Sequence, residues 1–145
     1  MYFVDREKIE ETLQYFEDKV KLLQANGNWK NEIEQLALER LTHTIIESIL
    51  DVGNAMIDGF IMRDPGSYED ILDILTDEKV ITDEMSKSLL KVILYRKILV
   101  QQYINVNHKE LLETFLECAP SLEEFPKRVR DYLTNELGPV SAFKS

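Results

Sequence analysis

Apolar side chains recur every three or four residues along most of the sequence, and this spacing places them on one face of an α-helix. Gly and Pro, which interrupt helices, number only 5 and 4 among 145 residues. Six segments carry the pattern, and short connections favour neighbouring helices that run antiparallel. We therefore predict an all-α antiparallel bundle, with helices over residues 5–25, 30–62, 68–76, 82–103, 107–118 and 121–136.

A chain of this length fits one domain and can bury a sizeable core. The hydrophobic fraction of 44% is typical of a folded globular protein. Gly138-Pro139 is expected to end the last helix. We predict a single domain over residues 1–137 and a flexible C-terminal tail over residues 138–145.

Several helix ends have recognisable capping residues. Ser67 and Thr82 each precede acidic residues and are expected to cap the third and fourth helices. Pro120 is expected to stop the fifth helix. Ser121 and Glu124 have the spacing of a capping box and are expected to open the sixth.

The long second helix has two stripes. Gly53 and Gly59 lie inside its pattern, where each costs up to about 1 kcal/mol relative to Ala, so a close helix contact is expected there. The simplest interpretation of the polar stripe is a solvated face, and the alternative is that it lines a cleft and meets Arg96. The apolar stripe comprises Ile33, Leu36, Ala37, Leu41, Ile45, Ile49, Val52, Met56 and Phe60, and the polar stripe Arg40, His43, Thr44, Glu47, Asp51, Asn54 and Asp58.

The charge and the reactive side chains exclude several functions. A net charge of −10 disfavours broad electrostatic capture of nucleic acid, although it allows a small local basic site. Cys118 is the single cysteine, so no internal disulfide forms, which suits a reducing cytoplasm, and we expect it to be a small buried hydrophobe. His43 and His108 complete no metal-ligand cluster, and we expect no metal and no cofactor.

The sequence also lacks targeting and nucleotide-binding signals. Charged residues begin at once at the N-terminus, so a signal peptide is not expected, and no apolar run reaches the ~20 residues of a membrane span. There is no P-loop, no glycine-rich dinucleotide turn and no nucleophile elbow.

Arg96 is the unusual residue of the fourth helix. It falls in the apolar stripe where a hydrophobe belongs, and an arginine in such a place needs a partner or a function. Tyr103 lies on the same face nearly two turns later, whereas Gln101 lies about 140° away around an ideal helix. The stripe comprises Met85, Leu89, Val92, Arg96, Leu99 and Tyr103.

Three stretches of the sequence have a recognisable pattern: Ser67-Tyr68-Glu69-Asp70, residues 96–103 (Arg-Lys-Ile-Leu-Val-Gln-Gln-Tyr) and residues 50–57 (Leu-Asp-Val-Gly-Asn-Ala-Met-Ile). Together they resemble the HepT-like branch of the HEPN superfamily. The resemblance covers most of the chain, and the Tyr2-Phe3-Val4-Asp5 opening is similar to the YutE-type members.

The resemblance implies a bundle of about five helices that forms a homodimer, with two arginine-bearing helices facing each other across one composite cleft. Active members of the family are metal-independent ribonucleases that work as toxins on RNA. Their partner is a nucleotidyltransferase-fold antitoxin, which in some systems adenylylates the motif tyrosine.

The family motif is an arginine, four residues, a histidine, one residue and a tyrosine. Arg96 and Tyr103 match it, Lys97 suits the polar position after the arginine, and Gln101 stands where the family has histidine. By resemblance, the catalytic residues are then Arg96, Gln101 and Tyr103, with Tyr103 also the modification site. Lys97, Asp51 and Asn54 are the expected substrate-binding residues.

Gln101 is a chemical departure from the motif. A guanidinium suits a phosphate, and an imidazole suits the 2′-hydroxyl proton of RNA because it titrates near neutral pH. A glutamine amide does not titrate in this range, and loss of a general base typically costs about 10²–10⁴-fold in rate. His108 lies past a helix break and is not the obvious substitute, although a dimer could bring it near.

Three hypotheses follow. The first is a weak or conditional HepT-like ribonuclease toxin in which Arg96 binds phosphate and Gln101 orients the RNA. The second is a catalytically silent dimeric binding module that interacts with a nucleotidyltransferase partner or a nucleotide. The third is a helical interaction protein in which Glu47 or Asp51 simply neutralises Arg96.

Overall fold

The computed structural model describes residues 2–25 and 27–138, and within these ranges all regular structure is helical. The all-α prediction is therefore confirmed. The helices are α1 (Arg6–Ala25), α2 (Glu32–Gly59), α3 (Tyr68–Asp77), α4 (Asp83–Ile93), α5 (Tyr95–Gln101), α6 (His108–Glu117) and α7 (Ala119–Leu137), with a short 3-10 helix (Tyr103–Asn105) after α5.

Helix α2 is the central element, because it packs against α1, α3, α5 and α6. Helix α7 completes the bundle by packing against α1, α4 and α6. Phe16, Phe115 and Phe125 are fully buried between these helices, and such burial, rather than helix propensity, supplies most of the stability of the helices. Arg6 Nη1 also donates a hydrogen bond of 2.8 Å to the carbonyl oxygen of Gly138, which joins the start of α1 to the end of α7.

The local signals for caps and close contacts are confirmed. The Ser67 hydroxyl accepts from the Asp70 N–H, and the Thr82 hydroxyl accepts from the Met85 N–H, each at 3.1 Å. A Cβ atom on Gly53 would lie 2.5 Å from Ile71 Cγ2, so the approach of α3 to α2 requires glycine there. Gly59 is similarly crowded by the chain before α1.

The second helix differs from its prediction at both ends. Its apolar stripe was expected to begin inside the core, but Ile33 and Leu36 are 79% and 58% exposed. Helix α2 begins at Glu32, after an Asn31 capping box, and ends at Gly59 rather than at residue 62. Ile61 has a φ of 55°, and this left-handed conformation ends the helical path.

The fourth predicted helix is two helices. Leu94 separates α4 from α5, and regular helix ends at Gln101 before the short 3-10 helix that holds Tyr103. The expectation of one helix over residues 82–103 is wrong in this respect. The break matters for the site, since it allows α5 to be placed independently of the α4 stripe.

The predicted capping box at Ser121 and Glu124 is wrong. Helix α6 ends at Glu117, and α7 begins at Ala119 with Pro120 in its first turn. Proline fits this position because the first-turn N–H groups have no intrahelical partner. Gly138 ends α7 with a φ of 83°, as expected. The single-domain boundary remains a prediction, and most of the predicted tail, residues 139–145, lies outside the described residues.

Candidate functional site

Arg96 meets the polar stripe of α2. Its Nε donates a hydrogen bond of 2.5 Å to Glu47 Oε1, and the two side chains are 26% and 35% exposed. This hydrogen bond raises the pKa of Arg96, so the guanidinium is charged at any relevant pH. The interpretation of the stripe as a surface that meets Arg96 is therefore confirmed at Glu47.

Tyr68 forms the second contact of Arg96. The guanidinium carbon lies 4.6 Å from the centroid of the Tyr68 ring, within the range of a cation–π interaction. Tyr68 is the first residue of α3 and follows directly on the Ser67 cap. The guanidinium is therefore fixed between a carboxylate on one helix and an aromatic ring at the start of another.

The loop before α3 is stabilised by hydrogen bonds to the Asp70 carboxylate. Arg63 Nη1 donates to both carboxylate oxygens of Asp70, at 3.0 and 2.9 Å, and the N–H of Gly66 donates to the same carboxylate at 2.8 Å. The hydrogen bond from Gly66 and then that from Arg63 lower the pKa of Asp70. These hydrogen bonds fix the conformation of the turn that contains Ser67 and leads into Tyr68.

A groove of about 440 Å³ lies in front of Arg96. Its wall is formed by the first turn of α3, by the break between α4 and α5, and by α5 itself. Two cations and one carboxylate line it, and Glu47, which pairs with Arg96, balances the second cation. The lining residues are Ser67, Tyr68, Glu69, Ile93, Leu94, Arg96, Lys97 and Gln101.

The predicted site residues divide into two groups. Arg96, Lys97 and Gln101 line the same groove, although Gln101 lies five residues after Arg96. Tyr103 lies beyond this lining, on the 3-10 helix, where 63% of its surface is exposed. The catalytic roles expected for these residues remain predictions.

Asp51 and Asn54 occupy exposed positions on α2, one and two turns beyond Glu47. Burial of its carboxylate raises the pKa of Asp51, and the negative charge of Glu47 adds to the shift. Glu47, and not Asp51, holds Arg96. A role of Asp51 and Asn54 in binding substrate remains a prediction.

Two residues near Arg96 were not singled out for the site by the sequence. One is Tyr68, described above. The other is His43, whose Nε2 lies 3.6 Å from Glu47 Oε1, the same oxygen that accepts from Arg96. The spacing of four residues between His43 and Glu47 on α2 was the available signal, because such pairs lie side by side on a helix.

His108 has a different position. Its Nε2 lies 2.7 Å from Glu39 Oε2, and this pair holds the start of α6 against α2. Glu39, His43, Glu47 and Asp51 follow each other at four-residue steps, so they form one line along α2. His108 contacts this line one turn before His43.

The remaining reactive groups of the described residues show no arrangement that would bind a metal ion. In the ranges that the structure describes, no group of three or more His, Cys, Asp or Glu side chains is placed to hold a metal ion. Cys118 is buried as expected, and burial raises the pKa of its thiol. No helix within these ranges is long and apolar enough to cross a membrane.

Comparison with known proteins identifies the family. The sequence profile of the family described as "Ribonuclease HepT-like" matches residues 4–129. The chain therefore belongs to the HepT-like ribonuclease family, and the resemblance noted from its motifs is confirmed. It is 57% identical over 144 residues, 99% of this chain and 100% of the relative, to the Bacillus subtilis (strain 168) protein described as "Putative RNase YutE".

Solved structures agree with this assignment. The structure of YutE from Bacillus subtilis, described as a cytosolic protein of unknown function, matches with a TM-score of 0.95 over 99% of this chain and 100% of that one, at 57% identity. A tri-AMPylated HEPN toxin from Shewanella oneidensis, solved in complex with an MNT antitoxin, matches with a TM-score of 0.72 over 86% and 95%, at 19% identity. The second comparison establishes a shared HEPN fold.

Proposed function

We propose that this protein is a metal-independent RNA endonuclease and the toxin of a toxin–antitoxin pair, with a nucleotidyltransferase antitoxin as its partner. The observation that carries the proposal is the position of Arg96, which is fixed by Glu47 and Tyr68 at the wall of a groove that Lys97 also lines. Membership of the HepT-like family supports the same conclusion.

The groove has the chemistry to hold a phosphodiester. The guanidinium of Arg96 offers a fork of N–H donors that matches two phosphate oxygens, and Lys97 adds a second positive charge. The exposed part of Tyr68 offers a ring face or edge for an RNA base. Gln101 can orient the RNA through its amide without exchanging a proton.

Assembly and modification form the second part of the proposal. A homodimer in the cytoplasm would bring two such grooves together across α5. The exposed hydroxyl of Tyr103 is accessible to an antitoxin that transfers AMP, and the AMPylated HEPN toxin from Shewanella oneidensis supports this assignment. Modification next to the groove would block it with phosphate charge.

The test is RNA cleavage without metal. Purified protein is incubated with a mixed tRNA pool in EDTA beside Arg96→Ala and Arg128→Ala, the latter changing an arginine on α7 that pairs with Glu124. We expect cleavage by the wild type and by Arg128→Ala, and its loss in Arg96→Ala. Equal cleavage by all three proteins would point to a contaminating nuclease and contradict the proposal.

The partner and the dimer have separate tests. With ATP and a nucleotidyltransferase encoded beside the gene, intact-mass spectra are expected to show added AMP on the wild type and none on Tyr103→Phe. Light scattering at micromolar concentration is expected to give the mass of a dimer. If the measured mass were that of a monomer, the proposed cleft between two subunits would be wrong.

A second candidate function is a catalytically silent dimeric module that binds a nucleotidyltransferase partner or a nucleotide. The observation that favours it is Gln101, which lines the groove where the family motif has histidine. If wild type does not cleave RNA and Gln101→His does, this second function is the correct one.

A further inference from the structure

His43 shares one oxygen atom with Arg96. Glu47 Oε1 accepts from Arg96 Nε at 2.5 Å and lies 3.6 Å from His43 Nε2. The three side chains come from α2 and α5, which pack directly against each other. A guanidinium and an imidazole therefore both lie close to one carboxylate oxygen.

Glu47 occupies this position in the free protein, and a phosphodiester would compete for it. Both are anions, and both are suited to the same guanidinium. The side chain of Glu47 is about a third exposed, so it can turn away without leaving a buried charge. An RNA oxygen that replaced Glu47 Oε1 would lie beside the imidazole as well as the guanidinium.

We propose that His43, which does not itself line the groove, is the general base for RNA that binds Arg96 in place of Glu47, and that it supplies the proton chemistry that Gln101 cannot; this inference rests on the proposed ribonuclease function. Nε2 of His43 takes the proton of the RNA 2′-hydroxyl. The 2′-oxygen then bonds to phosphorus, and the bond from phosphorus to the 5′-oxygen breaks. The departing 5′-oxygen takes a proton from water, and the imidazolium returns its own proton to the resulting hydroxide. The products are a 2′,3′-cyclic phosphate and a 5′-hydroxyl.

The charged groups around His43 are compatible with this role. Glu47 on the same helix and Arg96 on α5 are the charged groups that share its surroundings, and the side chain of His43 is 27% exposed. One turn earlier, Glu39 is already paired with His108 of α6. Of the two histidines, His43 is therefore the one next to the groove arginine.

The test compares two histidine variants on two RNAs. His43→Gln and His108→Gln are assayed in EDTA on one RNA oligonucleotide in single turnovers, and their affinity is measured on the same oligonucleotide with 2′-O-methyl groups, which removes the reactive hydroxyl. We expect His43→Gln to lose at least about 10²-fold of the rate and to bind the methylated RNA within twofold of wild type. His108→Gln is expected to retain the wild-type rate within about threefold.

Two further readouts separate proton chemistry from a structural effect. The wild-type rate is expected to fall as the pH drops below neutrality, and this dependence should disappear in His43→Gln. In His43→Ala, added imidazole is expected to restore part of the rate. The inference would be overturned if the variants unfolded at a lower temperature while His43→Gln kept the pH dependence and imidazole did not rescue His43→Ala. His43 would then be a structural residue.

The two proposals fail in different ways. If the wild type cleaves RNA through Arg96 and His43→Gln cleaves equally fast with the same pH profile, the role of His43 is wrong and the ribonuclease stands. If His108→Gln loses the rate instead, the base is His108. If the wild type does not cleave RNA at all, the proposed function fails and the role of His43 fails with it.

Discussion

Two arginines of this bundle pair with glutamates on another helix, and they do so in different ways. Arg130 of α7 makes four hydrogen bonds of 2.8 to 3.0 Å to both oxygens of Glu10 and of Glu17 on α1. Within the described residues, Arg96 of α5 makes one side-chain hydrogen bond, to Glu47. The two arginine side chains are similarly exposed, at 34% and 26%. The two arginines are therefore similarly buried, and they differ in how many side-chain hydrogen bonds their N–H groups donate.

Each arginine also lines a groove of similar size, about 460 Å³ for Arg130 and about 440 Å³ for Arg96. The charges of the two grooves differ. Glutamates outnumber arginines in the first groove, which repels a nucleic acid, whereas the two cations of the second groove are balanced by Glu69 in its lining and by Glu47, the partner of Arg96. The volume alone therefore does not distinguish the proposed RNA groove from the other one. The first groove is lined by Arg6, Glu7, Glu10, Glu11, Gln14, Arg130, Leu133 and Thr134.

The largest expected contrast is in catalysis. Arg96→Lys keeps the charge but loses the planar fork, so we expect the rate of RNA cleavage to fall between about 10- and 100-fold. Arg130→Lys should keep the wild-type rate, because Arg130 lies away from the groove of Arg96. Single-turnover assays on one RNA oligonucleotide measure both. Equal losses in the two variants would remove the functional difference between the arginines.

Stability should show the opposite order. Arg130→Met leaves two neighbouring carboxylates without their shared cation, and we expect the free energy of unfolding to fall by about 1–2 kcal/mol, a value limited by solvent exposure. Arg96→Met should cost less than about 1 kcal/mol, because it removes one ion pair and one cation–π contact that are both partly exposed to solvent. Urea unfolding monitored by circular dichroism compares the variants. If Arg96→Met lost more stability than Arg130→Met, the larger structural contribution would come from Arg96, contrary to this prediction.

The pH dependence of stability sharpens this point. The hydrogen bonds from Arg130 hold the pKa of Glu10 and of Glu17 below the usual glutamate value of about 4.3. The unfolded chain thus binds protons at these carboxylates at a higher pH than the folded chain does. Their stabilising contribution is complete above that usual value and is lost as the pH falls through the lowered folded pKa values.

Arg130→Met should therefore lose less stability on acidification than wild type does, by about 1 kcal/mol between pH ~5 and pH ~3. Urea unfolding at a series of pH values measures the difference. Arg96→Met serves as the matched control and should follow the wild-type curve. Parallel curves for all three proteins would show that the Arg130 cluster does not couple folding to protonation.

The smallest expected effect concerns the contact between Arg96 and the ring of Tyr68. Among the described residues, Arg130 has no such aromatic contact. Tyr68→Leu removes the ring against the Arg96 guanidinium, and we expect the affinity for 2′-O-methyl RNA to fall about two- to fivefold. Tyr15→Leu is the control, since that ring lies beside Lys19 on α1. Fluorescence anisotropy measures the binding. If Tyr68→Leu bound this RNA as tightly as wild type, the ring of Tyr68 would contribute only packing and not RNA affinity.

The parts of the fold that depend on near neighbours could be predicted from the sequence. The Ser67 and Thr82 caps and the close contact at Gly53 each follow from a few consecutive residues. The apolar pattern identifies a helical face but not how far the neighbouring helices cover it. Ile33 and Leu36 continue the stripe and are nevertheless exposed.

The break at Leu94 and the start of α7 were missed for related reasons. Residues 82–103 keep a helical period through the break, so periodicity gives no sign of it. At Pro120, two local rules compete, since proline can end one helix or occupy the first turn of the next, and the structure has the second arrangement.

The candidate site was predictable in part. Arg96 is conspicuous in an apolar stripe, and its partner Glu47 lay on the stripe that could meet it. The position of His43 could not be predicted, because its nearness to Arg96 depends on how α2 packs against α5. Sequence spacing along one helix reveals the His43–Glu47 pair but not the groove beside it.

The hydrogen bond between Arg6 and Gly138 links residues 132 positions apart, and this has a consequence for synthesis on the ribosome. All the residues of the Arg96 groove leave the ribosome before α7, whose Phe125, Val129 and Leu133 fill the core against the earlier helices. The bundle cannot close until the last helix has been translated. An arrested nascent chain therefore carries every residue of the groove but lacks the packing of α7 against α4, one of the helices that border the groove.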